Sequence, residues 1–594
     1  MAIDLQAIEE EFAQRKMDKN LFRRLWAFTA PYRGRYYVNI ALALIATLSS
    51  LIGPKIIQIG IDRFMAKGDT HGVLIVSGIF LANLLVGWAL TIVQTHSVTY
   101  FGEKVINDVR GAVFRHIQRL SMNYFDKVKV GRIIARADTD VDALHWVITY
   151  GGSTLLTSFL TLVGALYFMS HYDLRLCAAT AVVIPPMVLA SRIYHTRAWQ
   201  AHRKTRESHS MVTANLAENI SGVRVVQAFG REEENLERFR DIHQIHNINS
   251  MAAAQTSSVY FPFLGMMSAV GLCIIMGYGG TLVMNREIQV GELTAFMLYL
   301  YMFFGPINAI GDIYNNVLST AASAERIFQL LDTPPSVQDR EGAKELPPIQ
   351  GRVEFEHVWL RYDSTPENEW VLRDVSFIAE PGQTIAFVGK TGAGKSSMVN
   401  MIPRFYEPQR GRILVDGHDI SQATLESLHR QMGIVSQDNF LFTGTVMENI
   451  KYGRPDATEE DVVSACKTLG CDDIFLRLEN GLGTKVGERG SNLSQGERQL
   501  ICIARGLVAD PRILILDEAT SSVDTQTETL IQNALEKLFA QRTTFVVAHR
   551  LSTVRNANKI IVMKNGEIVE SGTHYELLVL GGLYAEMYRE FVRG

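Results

Sequence analysis

Gly389-Lys390-Thr391-Gly392-Ala393-Gly394-Lys395-Ser396 decides the fold of the C-terminal half of this chain. The octapeptide fits G-x-x-x-x-G-K-[ST], for which average residue frequencies give about 0.02 chance matches in a chain of this length. Its surroundings fit as well. Thr384-Ile385-Ala386-Phe387-Val388 reads as a buried strand, and Ser397-Met398-Val399-Asn400-Met401-Ile402 as a helix. Strand, glycine-rich loop and helix in that order make a phosphate cradle. Glycines let backbone N–H groups curl around phosphate oxygens, and the helix N-terminus adds favourable partial charge. In such a cradle Lys395 reaches the terminal phosphates and Ser396 holds Mg²⁺.

A second apolar run, Ile513-Leu514-Ile515-Leu516, ends in Asp517-Glu518. A carboxylate at the carboxyl end of a strand beside the loop is where phosphate chemistry needs a partner for Mg²⁺. Asp517 fits that place, and Glu518 then stands to orient or deprotonate an attacking water. Alone, an apolar run closed by two acids marks only a strand end; the phosphate loop gives it weight.

Toward the N-terminus the chain changes character. Six apolar stretches lie near residues 36–60, 73–97, 146–169, 174–194, 259–284 and 292–316. Each is close to the ~20 residues a bilayer-spanning helix needs. Gly53-Pro54, Pro185-Pro186 and Gly305-Pro306 interrupt them, as membrane helices tolerate when neighbours re-satisfy the backbone. Basic residues divide the connections. Lys104, Arg110, Arg115, Arg119, Lys127, Lys129, Arg132 and Arg136 fall between the second and third stretches. Arg197, Arg203, Lys204, Arg206, Arg224, Arg231, Arg238 and Arg240 fall between the fourth and fifth. The other connections carry only Arg63, Lys67, Arg175 and Arg286. Positive residues stay on the cytoplasmic side, so both termini are expected there. The two basic segments keep helical periodicity and are too long for simple hairpins, which predicts helices extending well below the membrane. Leu21-Phe22-Arg23-Arg24-Leu25-Trp26 reads as an interfacial amphipathic helix.

The whole-chain averages hide this division: 594 residues, 47% hydrophobic, 20% charged, net charge −4. That length implies at least two domains, and that charge gives no support to a nucleic-acid partner. Cys177, Cys273, Cys466, Cys471 and Cys502 form no CxxC pair or Cys/His cluster, so neither a zinc site nor a disulfide framework is expected. The acidic N-terminus lacks the basic-then-apolar pattern of a secretion signal.

The order Tyr362, phosphate loop, Gln437, Leu493-Ser494-Gln495-Gly496-Glu497, Asp517-Glu518, Asp524 and His549 resembles the ATP-binding cassette domain. With the six spans before it, the chain resembles the exporter type of that superfamily, close to bacterial multidrug and lipid exporters. The resemblance runs from about Leu21 to Tyr588. It includes Tyr124-Phe125-Asp126 with Val130-Gly131-Arg132, the segment Val225–Glu232, and Ala324-Glu325-Arg326-Ile327-Phe328. It implies these roles. Tyr362 stacks on adenine. Gly389, Lys390, Thr391, Gly392, Ala393, Gly394, Lys395, Ser396 and Ser397 bind the phosphates of ATP. Ser396, Gln437 and Asp517 hold Mg²⁺, and Gln437 also touches the water. Ser494, Gln495, Gly496 and Glu497 form the signature that meets ATP held by the other subunit. Asp524 links the two sites, while Glu518 and His549 complete catalysis. Thr484–Gly490 resembles the loop that meets the cytoplasmic helix tips. The family signature is usually Leu-Ser-Gly-Gly-Gln; here Gln495 and Glu497 replace its third and fifth residues, which leaves room for a heterodimer whose signatures have drifted.

The expected fold is a multi-domain chain: an all-α transmembrane domain of six helices followed by an α/β P-loop NTPase domain. Its expected parts are residues 1–34 (N-terminal segment and interfacial helix), 35–325 (membrane domain), 326–350 (linker) and 351–594 (ATPase domain). The expected function is ATP-driven export of amphipathic drugs or lipids by alternating access, in the bacterial inner membrane, by a homodimer or heterodimer of half-transporters. A dedicated lipid flippase remains open, as does the intact half of a heterodimer. Cargo-facing candidates are Phe296, Met297, Tyr299, Tyr301, Met302, Phe303 and Phe304, with Asn308, Asp312, Asn315 and Asn316 beyond them, and Tyr260, Phe261, Phe263, Met266 and Met267 on the fifth span. Among these, a carboxylate such as Asp312 in or near a membrane helix defaults to a functional role.

Overall fold

The computed structural model describes residues 19–362, 365, 369–517, 525–548 and 551–593. The chain folds as two compact units. Arg115–Ile133 belongs with the chain from Thr333 onward, and the remaining chain up to Asp332 forms the other unit.

The first unit is helical. We label α1 Lys19–Thr29, α2 Arg33–Ile59, α3 Thr70–Ile117, α4 Met122–Lys127 (which packs with the second unit), α5 Gly152–Tyr172, α6 Ile184–Ser221, α7 Glu232–Ile274 and α8 Val290–Asp332. At 1.5 Å per residue, the 48 residues of α3 and the 43 of α7 exceed what a bilayer core requires. Five stretches of the described chain are long and apolar enough to cross a membrane: Arg23–Lys67, Thr70–Ile117, Val130–Tyr172, Leu174–Ser221 and Glu232–Met284. A shorter apolar stretch, Val290–Pro306, opens α8. None of the most apolar window of α3 is buried. Leu74, Leu81, Leu85 and Trp88 are all exposed there, and only an apolar solvent or a partner makes that surface tolerable.

Two expectations change here. Phe296, Tyr299 and Phe303 do not offer an adaptable surface. They are buried among Leu51, Ala165, Met169 and Leu176, the Tyr299 ring stacks on Phe168 at 4.9 Å, and its hydroxyl donates to the Leu51 carbonyl at 2.7 Å. Only one stripe of a long helix can face a pathway, and composition does not reveal which. Tyr301, on the opposite side of α8, is 81% exposed. The side chains of Asn308, Asp312 and Asn315 lie outside the described residues. The junction also moves: α8 runs unbroken through Ala324-Glu325-Arg326 to Asp332, because good helix formers continue up to Thr333-Pro334-Pro335. Inside this unit Arg24 of α1 forks onto Asp332 at 2.6 and 2.7 Å and lies over the Phe328 ring, so the N-terminal helix clasps the end of α8.

The second unit is α/β. Strands β1 Val353–Leu360, β2 Leu372–Ala379, β4 Arg410–Val415 and β5 His418–Asp419 make an antiparallel sheet in the order β2-β1-β4-β5. Strands β3 Thr384–Val388, β6 Met432–Val435, β7 Ile513–Asp517, β8 Thr543–Val547, β9 Lys559–Lys564 and β10 Glu567–Gly572 make a second sheet in the order β10-β9-β3-β8-β7-β6. Of its five pairings, all are parallel except β9–β10 at the edge. β8 is buried at every residue and β3 at all but its first, as continuous apolar runs flanked on both faces must be. Helix α9 Lys395–Met401 follows β3, α10 Gln495–Val508 precedes β7, and α11 Thr525–Phe539 precedes β8.

Candidate functional site

Parallel register assembles the site. Val547 on β8 pairs with Phe387 of β3 on one side and with Asp517 of β7 on the other. Leu516 on β7 pairs with Val435 of β6. The carboxyl ends of four adjacent strands therefore lie level, and the loops beyond them carry Gly389–Ser396, Asp517 and Gln437. Ligands of open parallel sheets sit at this edge. The sequence-predicted Glu518, Asp524 and His549 lie outside the described residues.

The loop after β3 needs its glycines. Gly394 adopts φ +100°, and a Cβ there would lie 2.8 Å from Leu372 Cδ2. A Cβ at Gly389 would lie 2.5 Å from the Met563 carbonyl. The loop closes around Lys395, whose side chain is buried and whose ammonium donates to the carbonyls of Gly389 (2.8 Å) and Lys390 (3.1 Å). Burial lowers the Lys395 pKa below the ordinary lysine range, and the Asp517 carboxylate acts against that shift. A buried cation held on two loop carbonyls at a helix N-terminus, with one carboxylate acting on it, is a fit for polyphosphate. The donors present also fit Mg²⁺. Ser396 is exposed at the start of α9 and Asp517 ends β7, one hydroxyl and one carboxylate. Mg²⁺ takes few protein oxygens and completes its octahedron with phosphates and water. Gln437 is exposed just past β6.

Tyr362 follows β1. Its hydroxyl donates to Ser397 Oγ at 2.8 Å, and its ring meets Tyr406 edge-on at 4.9 Å. Burial raises the Tyr362 phenol pKa. Sequence reasoning missed Tyr406, which belongs to Arg404-Phe405-Tyr406-Glu407 beyond α9 and matches no short motif. It missed Arg404 too. That arginine sits in the left-handed region (φ 58°), fully buried, and donates to Glu407, to the Ala423 carbonyl and to the Gln338 carbonyl.

The signature lies apart from the phosphate loop in sequence and begins α10. Ser494 is the N-cap: its Oγ accepts from Glu497 N–H at 3.2 Å, while Glu497 Oε2 accepts from Ser494 N–H at 2.7 Å. This reciprocal box is made by Glu or Gln alike. Glu497 in the fifth place thus has a local physical reason. The box uses a lone pair of the Ser494 hydroxyl and leaves its O–H to donate, with the first-turn N–H groups of Gln495 and Gly496 beside it.

The family description "ABC transporter transmembrane region" matches residues 36–307, and "ABC transporter" matches residues 372–521. An uncharacterised ABC transporter ATP-binding protein of Bacillus subtilis, YknV, is 38% identical over 572 residues, 95% of this chain and 94% of that protein. The chain is a member of the ABC transporter family. An ATP-dependent lipid A-core flippase of Syntrophus aciditrophicus is 34% identical over 578 residues, covering 96% of this ABC transporter and 94% of the flippase. The structure of a bacterial Atm1-family ABC exporter with ATP bound superposes with a TM-score of 0.75 at 28% identity, covering 94% of this chain and 98% of that one. This ABC transporter is therefore an exporter-type half-transporter, an integral membrane protein with a helical transmembrane domain followed by a cassette domain. It is an ATPase coupled to transport, and it works with a second half-transporter.

Proposed function

We propose that two copies of this chain form an ATP-driven exporter of amphipathic compounds, each copy supplying half of two shared ATP sites. The observation that carries the reading is the register of β3, β8, β7 and β6. It lines up Lys395, Asp517 and the Gln437 loop at one sheet edge, while the donors of Ser494 and Gly496 belong to a different element, the start of α10.

In this reading six spans lie in the bacterial inner membrane with both termini cytoplasmic. Tyr362 stacks on adenine. Lys395 exchanges its two carbonyl partners for phosphate oxygens, and the amides of Lys390–Ser396 surround the β-phosphate. Ser396, Asp517 and Gln437 hold Mg²⁺, which when bound neutralises charge on the transferred phosphoryl group. Glu518 takes a proton from the attacking water, and His549 donates to the γ-phosphate. Ser494 O–H and the Gly496 N–H of the second copy close the site, and Asp524 connects the two sites. Binding pulls the copies together and hydrolysis releases them, a two-state cycle driven by differential contacts. Glu497 keeps the capping box on Ser494 that the usual Gln would make, which supports a working signature in a pair of like copies. The cargo is amphipathic: Tyr301, Phe261 and Met266 are exposed on the last two long helices, and a curated relative is a lipid A-core flippase.

Mass and ATP turnover of the chain expressed alone in lipid nanodiscs test this. A dimer with turnover that Glu518→Gln lowers at least about 100-fold supports it. A monomer with no turnover would assign this chain to a heterodimer.

A further inference from the structure

We propose that Tyr406 is a positioning residue for the nucleotide base, set by the cytoplasmic tip helix α4 through Asp126. The inference rests on the reading of Tyr362 as the ring that stacks on adenine, and deepens it by naming what controls that ring.

Three contacts within the second unit form an unbroken line. Tyr406 Oη donates to Asp126 Oδ2 on α4 at 2.7 Å. The Tyr406 ring meets the Tyr362 ring at 4.9 Å and 77°, the favourable edge-to-face arrangement. Tyr362 Oη donates to Ser397 Oγ on α9, in the first turn after the phosphate loop, at 2.8 Å. Tyr406 is 8% exposed, so leaving its one polar atom without a partner costs free energy and disfavours the ring in this position. Burial and the Asp126 hydrogen bond both raise its phenol pKa, which keeps it a donor at neutral pH. The tip is independently fixed to the same unit: Ser121 Oγ accepts from Val337 N–H at 2.8 Å, and Asn123 donates to Ser336 Oγ at 3.2 Å.

The α4 segment is the turn between the long helix α3 and the chain that returns from Val130 toward α5. It is covalently continuous with membrane helices. A displacement of those helices draws on Asp126, loosens the Tyr406 ring and unlocks Tyr362. The tip therefore controls affinity for the base, through the Tyr362 ring, far more than for the phosphates, which the loop amides and Lys395 hold. Coupling of this kind is reciprocal: a base stacked on Tyr362 holds Tyr406 and biases the tip.

The test titrates MgATP and magnesium tripolyphosphate, which has no base, into the full-length protein in nanodiscs. Tyr406→Phe keeps the ring and removes the donor; Asp126→Ala removes the acceptor; Asp126→Asn keeps an acceptor. Freeing one ring that was held in advance costs about three- to tenfold in affinity. We expect that loss for MgATP in Tyr406→Phe and Asp126→Ala, with tripolyphosphate unchanged and near-recovery in Asp126→Asn. Equal losses for both ligands would make Tyr406 merely structural and overturn the proposal. So would unchanged MgATP affinity in Tyr406→Phe while Tyr362→Ala binds MgATP poorly. If Tyr362→Ala itself binds MgATP normally, the base-stacking reading fails and takes the proposal with it.

Discussion

The two turns that join the long helices of this half-transporter, the tips, are built on opposite principles. The first, α4 with Ser121 and Asn123, is held by polar hooks: Asp126 to Tyr406, Ser121 to Val337, Asn123 to Ser336. The second is the short helix Val223–Ala228 between α6 and α7. Its apolar side chains are bare, with Val225 61% and Phe229 76% exposed. An aromatic and a valine exposed together are a surface awaiting cover. The difference teaches that the chain completes one of its two joints by itself. The other joint leaves apolar side chains for the second half-transporter to cover.

That contrast can be broken at several points. The largest effect is expected from Arg404→Met. The guanidinium braces the Gln338 carbonyl, next to the Val337 that hooks Ser121; its removal takes the donor from two carbonyls and leaves Glu407 only Arg340, at 3.6 Å. Losing one partner of a buried pair costs ~3–5 kcal/mol, so denaturant unfolding of the cassette should shift by that amount. Next comes Phe229→Asp. Placing a charge where apolar cover is required should lower transport about 100-fold, with MgATP affinity within about twofold of wild type. Unchanged transport would show that the second tip needs no cover. Ser121→Ala removes a single hook at the first tip. It should reduce amide-exchange protection of residues 115–133 by ~1 kcal/mol and leave the second tip untouched.

The smallest effect concerns a site remote from both tips in sequence and serves as a control. His574 is buried against Tyr584, its Nδ1 2.7 Å from the Tyr584 hydroxyl. Burial, and then Arg555, lowers its pKa below 6.5. The folded state thus binds fewer protons than the unfolded one. Stability present above pH 6.5 is lost as pH falls through the depressed folded value. Thermal unfolding should show a small acid-side loss that His574→Gln flattens, with transport at neutral pH unaffected.

How much of this could be read in the sequence follows from which residues carry local signals. The phosphate loop did, since a strand, glycines at required positions and a helix occur in one short window. β3 was placed at its observed bounds for the same reason. Asp517 was readable because a strand end is local. The capping box was present in Ser494-Gln495-Gly496-Glu497 as S-x-x-E, yet the comparison with the usual signature drew attention to what was missing there and not to what Glu497 does. Tyr406 and Arg404 were not readable. Their roles arise from contacts with Asp126 and Gln338, 280 and 66 residues away in the chain. Phe296 and Tyr299 were misjudged because soft aromatic composition is shared by packed cores and open surfaces, and only packing against Leu51 and Phe168 decides between them. Glu518, Asp524 and His549 rest on motif order alone.

The central claim, an ATP site divided between two copies, has a direct test. Lys395→Ala disables the phosphate loop, and Ser494→Phe blocks the signature. Each variant alone should be inactive. Co-expressed in equal amounts, half the dimers are mixed, and each mixed dimer keeps one site with an intact loop from one copy and an intact signature from the other. The account predicts recovery to about a quarter of wild-type ATP turnover. Turnover no higher than that of the separate variants would contradict it.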